Sequence, residues 1–321
     1  MGSDKVEVIQ YLVDTRDLWP GATKTKDLEN EASRALALLT EEEQKGVLRY
    51  YFVPDAKMSL ASHLLKHWVV SKYAGVPWWD TKLTRDPNGK PIFVDPATGK
   101  QPVFFNVSHQ AGLVSLVAVA GYEGQADVGT DIVCTSERRT RDHRIINTEG
   151  WSTFVGMHSD VFGRLEAAYL KGGDLLSTQP GLPELARGEE IVDFKLRCFY
   201  TLWCLREAYV KMTGEALLAS WLKDLNFKRF RAPEPGKAFA QLPDGEVADR
   251  QEIIKVHEIE FHGKRVEEAN ICLRSLGPDY MTCSAIRTPH QKEDGLSWDI
   301  GPYEFLPIEN ILSHAEMHLR S

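Results

Sequence analysis

The chain has 321 residues, 43% hydrophobic and 26% charged, enough for one large domain or two smaller ones, each with its own core. A formal charge of −8 argues against general affinity for nucleic acid or an anionic membrane, because such binding rests on many phosphates neutralised by clustered Lys and Arg. Five scattered cysteines, lacking the close pairs of zinc or redox sites, fit free buried thiols in a reducing compartment.

The first residues carry no signal-peptide core, and Val6 stands where a myristoylation signal wants Ser or Thr. No apolar run is long enough to span a bilayer, so the cytosol is the expected location. The capping box Thr40-Glu41-Glu42-Glu43 opens a helix that carries Lys45, Val47, Leu48, Arg49 and Phe52, and Pro54 is expected to end it. Asp55 should then cap a long amphipathic helix with Leu60, Leu64, Leu65, Trp68 and Val69 on its apolar face, stopped by Gly75 and Pro77.

Turn chemistry at Asp86-Pro87-Asn88-Gly89 precedes short β-rich runs at 92–94, 103–107 and 113–120, which predict an antiparallel meander. A further strand at 128–133 is followed by a polar stretch, 134–150, in which Arg138, Arg139, Arg141 and Arg144 lie close together. The change of character near Asp127 divides the chain into a first lobe, 1–127, and a second, 128–321, with loop insertions. The second lobe reads as a helix near 161–170, a Gly/Pro/Ser-rich insert at 172–189 and a long helix near 192–213 closed by Gly214. Strands follow at 225–230, 254–261, 271–273 and 281–286, with a Pro/Gly-rich loop at 232–250 between the first two.

A faint repeat links the halves. Ser71 to Gly75, with Trp79 and Leu83 beyond, parallels Val210 to Gly214, with Trp221 and Leu225 beyond. With helix-then-antiparallel-strand order in both, it predicts an α+β fold of two pseudo-symmetric lobes facing a ligand cleft.

Two carboxylates stand in apolar elements: Asp131 in Val128-Gly129-Thr130-Asp131-Ile132-Val133, and Glu207 in Trp203-Cys204-Leu205-Arg206-Glu207-Ala208-Tyr209-Val210-Lys211. A buried ionised carboxylate is costly unless it is paired or binds a metal, so the two, with Lys211 and the segment Asn106-Val107-Ser108-His109-Gln110, suggest a Mg²⁺-phosphate site. Alternation places Gly129, Asp131 and Val133 on one strand face, where Gly129 clears space beside Asp131. Glu207 and Lys211 border the apolar stripe of Phe199, Leu202, Trp203 and Val210. Ser108 and His109 sit where a strand runs into a turn, and Arg85 and Lys90 bracket the Asn88-Gly89 turn, all placed to meet an anion.

In this order the motifs Arg85-Asp86-Pro87-Asn88-Gly89-Lys90-Pro91, Phe105-Asn106-Val107-Ser108-His109, Gly129-Thr130-Asp131-Ile132 and Trp203 to Lys211 resemble those of the Sfp-type 4′-phosphopantetheinyl transferases, the fungal members above all. The resemblance spans most of residues 45–285. It implies transfer of the phosphopantetheine arm of coenzyme A to a serine of apo acyl or peptidyl carrier protein domains, with release of adenosine 3′,5′-bisphosphate, by a fold of two pseudo-symmetric α+β lobes. It also implies that Asp131 and Glu207 hold Mg²⁺ on the pyrophosphate, that Lys211 contacts phosphate, and that Ser108 and His109, beside Asn106, meet the 3′-phosphate. Arg85 and Lys90 would line the nucleotide site, and either Arg49 or Lys45 would supply the N-terminal basic contact.

Two departures stand out. Many bacterial members carry a third carboxylate two residues after the strand Asp, where this chain has Val133; Gln110 is the candidate to compensate, directly or through water. Thr130 and Arg206 replace commoner residues without removing a required group. Glu207 is the expected acceptor of the serine proton, being the motif carboxylate on the helix side. A CoA- or carrier-binding module without catalysis is the alternative, and a monomer suffices if both lobes lie in one chain. The carriers implied are those of fatty acid, polyketide, nonribosomal peptide and lysine biosynthesis.

Overall fold

A computed structural model of the chain describes residues 6–182, 186–214, 220–236, 252–255 and 257–317; most of the loop expected at 232–250 lies outside these. Helix and sheet are mixed, as expected. Strand β1 (Glu7–Asp14) pairs antiparallel with β5 (Leu113–Ala120), which pairs with β4 (Val103–Gln110). On the far edge of β1 lies β12 (Glu304–Phe305), parallel to it, giving the order β12-β1-β5-β4. A second sheet has the order β10-β11-β6, from β6 (Asp127–Cys134), β10 (Asn270–Leu276) and β11 (Tyr280–Arg287). Strands β2 (Thr84–Arg85) and β3 (Pro91–Ile92) form the small hairpin that the Asn88-Gly89 turn predicts. Strands β7 (Leu225–Arg229), β8 (Glu258–Phe261) and β9 (Lys264–Arg265) make a third, short sheet.

Helix α1 (Glu41–Leu48) opens with the expected capping box, the Thr40 side chain accepting from Glu43 N. Helix α2 (Val53–Ala74) begins earlier than the sequence suggests, with Phe52 at the cap and Pro54 inside the first turn. Proline is tolerated there because the first N–H groups of a helix have no intrahelical partner, so Pro54 starts α2 rather than ending α1, and Asp55 lies within the first turn. Along α2, Leu60, Leu64 and Leu65 are fully buried, each worth about 1.5–3 kcal/mol relative to exposure.

The polar stretch after β6 is helical: α3 (Arg139–Glu149) and α4 (Trp151–Gly156) precede α5 (Arg164–Lys171). The long α6 (Glu189–Thr213) packs on β6 and β11, as α2 packs on β4 and β5. Both helices end in a left-handed glycine, Gly75 (φ 68) and Gly214 (φ 80), and 3₁₀ turns follow at Trp78–Asp80 and Ser220–Asp224.

Helix α7 (Ile308–Met317) returns to the first half, where Ile311, Leu312 and Ala315 join the core that α2 and β5 build. A third apolar cluster, including Leu12, Val117, Val128, Ile132 and Ile286, lies between the two main sheets. There the Tyr303 hydroxyl meets those of Thr282 and Ser284 at 3.0 and 3.1 Å, so the buried polar groups satisfy one another.

Candidate functional site

Strand β6 places its residues as alternation requires: Val133 joins the core under α6, while Val128, Ile132 and Cys134 face the cluster between the sheets. Gly129 has a different task from the one its position suggested. A Cβ built there would fall 2.1 Å from Ala208 O and 2.3 Å from Met212 N, so the glycine allows the α6 backbone to lie directly on the strand. Ala208 and Met212 directly follow Glu207 and Lys211 in α6, and Gly129 lies one strand repeat from Asp131, so the contact sets the helix's last turns against the carboxylate.

Asp131 is 5% exposed, and its Oδ1 accepts from Lys211 Nζ (2.7 Å) and from Ser108 Oγ (2.8 Å). Lys211 Nζ also lies 3.0 Å from Ser108 Oγ, so three side chains from β4, β6 and α6 close a triangle. Enclosure pulls the Lys211 ammonium down, but Asp131 and then Glu207 outweigh it and hold the amine above its ordinary value. Glu207 lacks such compensation: burial, then the Asp131 charge, push its carboxyl up to about 7 against the opposing pull of Lys211. Desolvation, followed by Lys211, lowers the neighbouring His109 imidazole.

Burial and then the charge of Asp131, itself already paired with one ammonium, raise the neighbouring Glu207, and two such carboxylates fit a hard divalent cation. Mg²⁺ takes one or two carboxylates and completes its oxygen shell with water and substrate phosphate. No group of three or more His, Cys, Asp or Glu side chains able to hold a metal occurs among the described residues, so this pair would depend on substrate oxygens for the rest.

Gln110, the expected third ligand, is engaged elsewhere. Its Oε1 accepts from Cys134 N at 3.2 Å and its amide donates to Glu137 Oε2 at 2.5 Å, so a ligand role would compete with both bonds. Asn106 Oδ1 accepts from Thr130 N at 2.9 Å and ties β4 to β6, a bridging task that aligns Ser108 with Asp131. Lys90 also turns inward. Its ammonium donates to Val128 O (2.5 Å) and approaches Lys211 O (3.4 Å) near the C-terminal end of α6, where orphan carbonyls and the helix dipole favour a cation.

Two depressions flank this centre. A cleft of about 770 Å³ is lined by Lys45, Arg49, Lys66, Lys82 and Arg85, so both residues proposed for the N-terminal basic contact reach it. Arg85 Nη1 donates to Gly89 O at 2.6 Å across its own turn. Lys45 approaches Glu41 at 3.6 Å on an exposed helix face, a pair worth little in water. Arg49 has no side-chain partner among the described residues, which makes it the freer cation. The second depression, a groove of about 500 Å³, takes walls from β4, α3, α4 and α6, including His109, Met157, His158 and Trp203. Arg138 and Arg141 line it, and their side chains make no hydrogen bond or ion pair among the described residues. Arg139 points elsewhere, pairing with Glu189 at 2.9 Å and Asp193 at 2.8 Å.

Sequence reasoning missed Lys66 and His63, which line the cationic cleft. The available signal was the charged residue inside the otherwise apolar run His63-Leu64-Leu65-Lys66-His67-Trp68.

Comparison with known proteins gives a consistent result over both halves. Residues 26–121 match the family described as 4′-phosphopantetheinyl transferase, N-terminal, and residues 127–269 match the 4′-phosphopantetheinyl transferase superfamily. The chain is 46% identical to 4′-phosphopantetheinyl transferase 1 of Fusarium mangiferae, over 96% of this chain and 95% of that protein. It is 37% identical to the 4′-phosphopantetheinyl transferase of Aureobasidium melanogenum, over 86% and 90%. It is 33% identical to the L-aminoadipate-semialdehyde dehydrogenase-phosphopantetheinyl transferase of Mus musculus, over 57% of this chain and 50% of that protein.

Proposed function

The chain belongs to the 4′-phosphopantetheinyl transferase superfamily, and from that premise we propose that it moves the phosphopantetheine arm of coenzyme A onto a serine of apo acyl and peptidyl carrier domains. The observation that supports this most directly is the meeting of Asp131, Lys211 and Ser108, with Glu207 beside them, next to a cationic cleft on one side and an aromatic groove on the other. On this reading α2 with its sheet and α6 with its sheet are two pseudo-symmetric lobes, and the donor lies between them. The mouse relative's name points to an L-aminoadipate-semialdehyde dehydrogenase as one acceptor, and carriers of fatty acid, polyketide, peptide and lysine biosynthesis are the others this reading includes.

The cationic cleft binds the nucleotide end of coenzyme A, and the groove receives the pantetheine arm and the carrier. Held by Asp131 and Glu207, Mg²⁺ would neutralise the pyrophosphate and the charge that develops on the leaving nucleotide. Lys211, fixed by Asp131 and Ser108, directs its ammonium at a phosphate oxygen without reorganising during the reaction. Glu207 takes the proton from the carrier serine as its Oγ forms a bond to the phosphorus nearer pantetheine. The bond from that phosphorus to the bridging oxygen breaks, and adenosine 3′,5′-bisphosphate leaves with the electron pair. A carboxyl near 7 suits proton acceptance at neutral pH. The five described cysteines are free and buried, in keeping with a reducing cytosol, and a single chain supplies every group named, in keeping with a monomer.

The test is the intact mass of an apo carrier domain incubated with coenzyme A and the protein, with and without Mg²⁺. A gain of one phosphopantetheine arm that requires Mg²⁺ is expected. Binding of coenzyme A or carrier without any mass gain would identify a non-catalytic binding module instead.

A further inference from the structure

The cationic cleft is assembled from three elements. Lys45 and Arg49 come from α1 and its C-terminal cap, Lys82 and Arg85 from the 78–85 segment, and His63, Lys66 and His67 from α2. Like charges on separate elements around one space repel each other, so the cleft needs a tie between α1 and the 78–85 segment.

That tie runs through His67, which is buried on α2. Its Nε2 lies 3.0 Å from Glu43 Oε1 on α1, and its Nδ1 lies 2.7 Å from Thr81 Oγ1. Proton counting fixes the direction of both bonds. Thr81 Oγ1 donates its one proton to Trp78 O at 2.5 Å, so it must accept from His67 Nδ1. Burial opposes ionisation of the Glu43 carboxyl, but hydrogen bonds from His63 and then His67 outweigh it and hold the group below the ordinary carboxylate range. A carboxylate only accepts, so His67 Nε2 donates as well, and so does His63 Nδ1 at 3.2 Å. His67 is therefore a donor at both ring nitrogens, with Glu43 as its counter-charge.

The other oxygen of Glu43, Oε2, accepts from Thr40 N at 3.0 Å and Thr40 Oγ1 at 2.9 Å, so the imidazole grips the capping box that starts α1. Lys66, the residue before His67, makes no ion pair among the described residues, and desolvation pushes its ammonium down to about 8. The Trp78 ring packs on His67 with centroids 5.4 Å apart, and Trp78 Nε1 donates to Leu38 O at 2.9 Å. This second link joins the 78–85 segment to the chain just before α1, so loss of the imidazole link should loosen the cleft without unfolding it.

We propose that His67 is a positioning residue of the donor site: its two N–H groups fasten α1 to the 78–85 segment and set the spacing of the cleft's cationic walls. The assignment rests on the coenzyme A reading above. If a broken tie leaves the walls correctly spaced in about a tenth of the molecules, affinity for the donor falls by the same factor.

Glu43→Gln separates this role from a charge effect. Glutamine still serves a capping box, but its single oxygen cannot accept from both Thr40 and the imidazoles. Electrostatics alone predicts that removing a carboxylate from a cationic cleft leaves anion binding unchanged or tighter. Calorimetric titration of the full chain with coenzyme A is expected to show the opposite, a loss of about tenfold, with the melting temperature establishing that the variant is folded. Thr81→Val, which removes the acceptor for Nδ1, should lose affinity in the same direction, and Thr81→Ser, which keeps the hydroxyl, should retain it. A nitrogen-15 NMR spectrum at neutral pH should show one histidine protonated at both ring nitrogens, absent from His67→Gln. Unchanged or tighter binding by Glu43→Gln, equal affinities in Thr81→Val and Thr81→Ser, or a single proton on the His67 ring would overturn the assignment while leaving the coenzyme A reading standing. Failure of the wild-type chain to bind coenzyme A would overturn that reading and this assignment with it.

Discussion

The last turns of α6 present Glu207 and Lys211 toward Asp131, whereas α2, which ends in the same kind of left-handed glycine, presents His63, Lys66 and His67 toward a cleft of cations. On the α6 side two carboxylates share one ammonium, so the uncompensated charge is negative and a divalent cation would relieve it. On the α2 side the Glu43 carboxylate is taken by two imidazoles, and cations outnumber acids along the cleft, leaving positive charge that an anion would relieve. Similar helix-on-sheet frames thus meet opposite needs. The difference fits a ligand that brings a metal-bound pyrophosphate to one wall and a free phosphate to the other.

The comparison breaks most severely if the α6 wall loses its charge. Asp131→Ala and Glu207→Gln should each abolish most transfer, with Glu207→Gln falling by about 10²–10⁴-fold if it is the proton acceptor. Near-normal turnover in Glu207→Gln, measured by carrier mass shift, would remove that role. Since the base must be ionised, kcat/KM at low fixed Mg²⁺ should rise with pH and level off above about 7, and saturating Mg²⁺ should move the rise to lower pH. A profile flat from pH 5.5 to 8.5 would contradict this.

The next test sharpens how the α6 wall is positioned. Gly129→Ala forces a methyl group against Ala208 O and Met212 N, and overpacking of this kind costs about 1–3 kcal/mol. Because the backbone, not a flexible side chain, must yield, activity should fall further than the melting temperature alone explains. A variant with wild-type turnover would show that the contact does not set the site.

A smaller effect concerns the metal-free protein. The Glu207 carboxyl is raised in the fold, so its stabilising contribution is complete below the unfolded value near 4.5 and is lost as pH rises through about 7. At pH 8 without Mg²⁺, Glu207→Gln should therefore melt higher than wild type, by about 2–4 °C for each kcal/mol relieved. At pH 5 the gain should vanish, and a lower melting temperature at pH 8 would refute the uncompensated charge.

The mildest prediction separates the arginines of α3. Replacing Arg138 and Arg141 by Ser should raise KM for the carrier but not for coenzyme A, less so at high salt, because exposed charges are screened beyond about 8 Å at physiological ionic strength. Arg139→Ser, which breaks the pair with Asp193, should change stability more than carrier KM. Equal effects of both variants on carrier KM would erase the distinction.

Much of the site was legible because its chemistry sits on strongly patterned elements. The glycine caps bounded α2 and α6, and alternation assigned Asp131 to its face. What escaped has identifiable causes. Strand β1 is buried without a break from Ile9 to Val13, so it lacks the period that tells strand from helix. Its partner β12 lies at the other end of the chain, and such pairing leaves no local mark. Lys66 and Lys90 are lysines whose significance depends on what already neutralises their neighbours, which only three-dimensional contacts reveal.

The return of β12 and α7 to the first half has a consequence for synthesis. Leu306, Ile311, Leu312 and Ala315 complete a core whose other buried residues lie within the first 120, and β12 covers the edge of β1. While the ribosome is still making the intervening residues, that edge is exposed and the apolar surface beneath α7 is open, the condition under which nascent chains aggregate or recruit chaperones. The first half can therefore reach its final form only after the second has been translated, and the two mature together although one is made first.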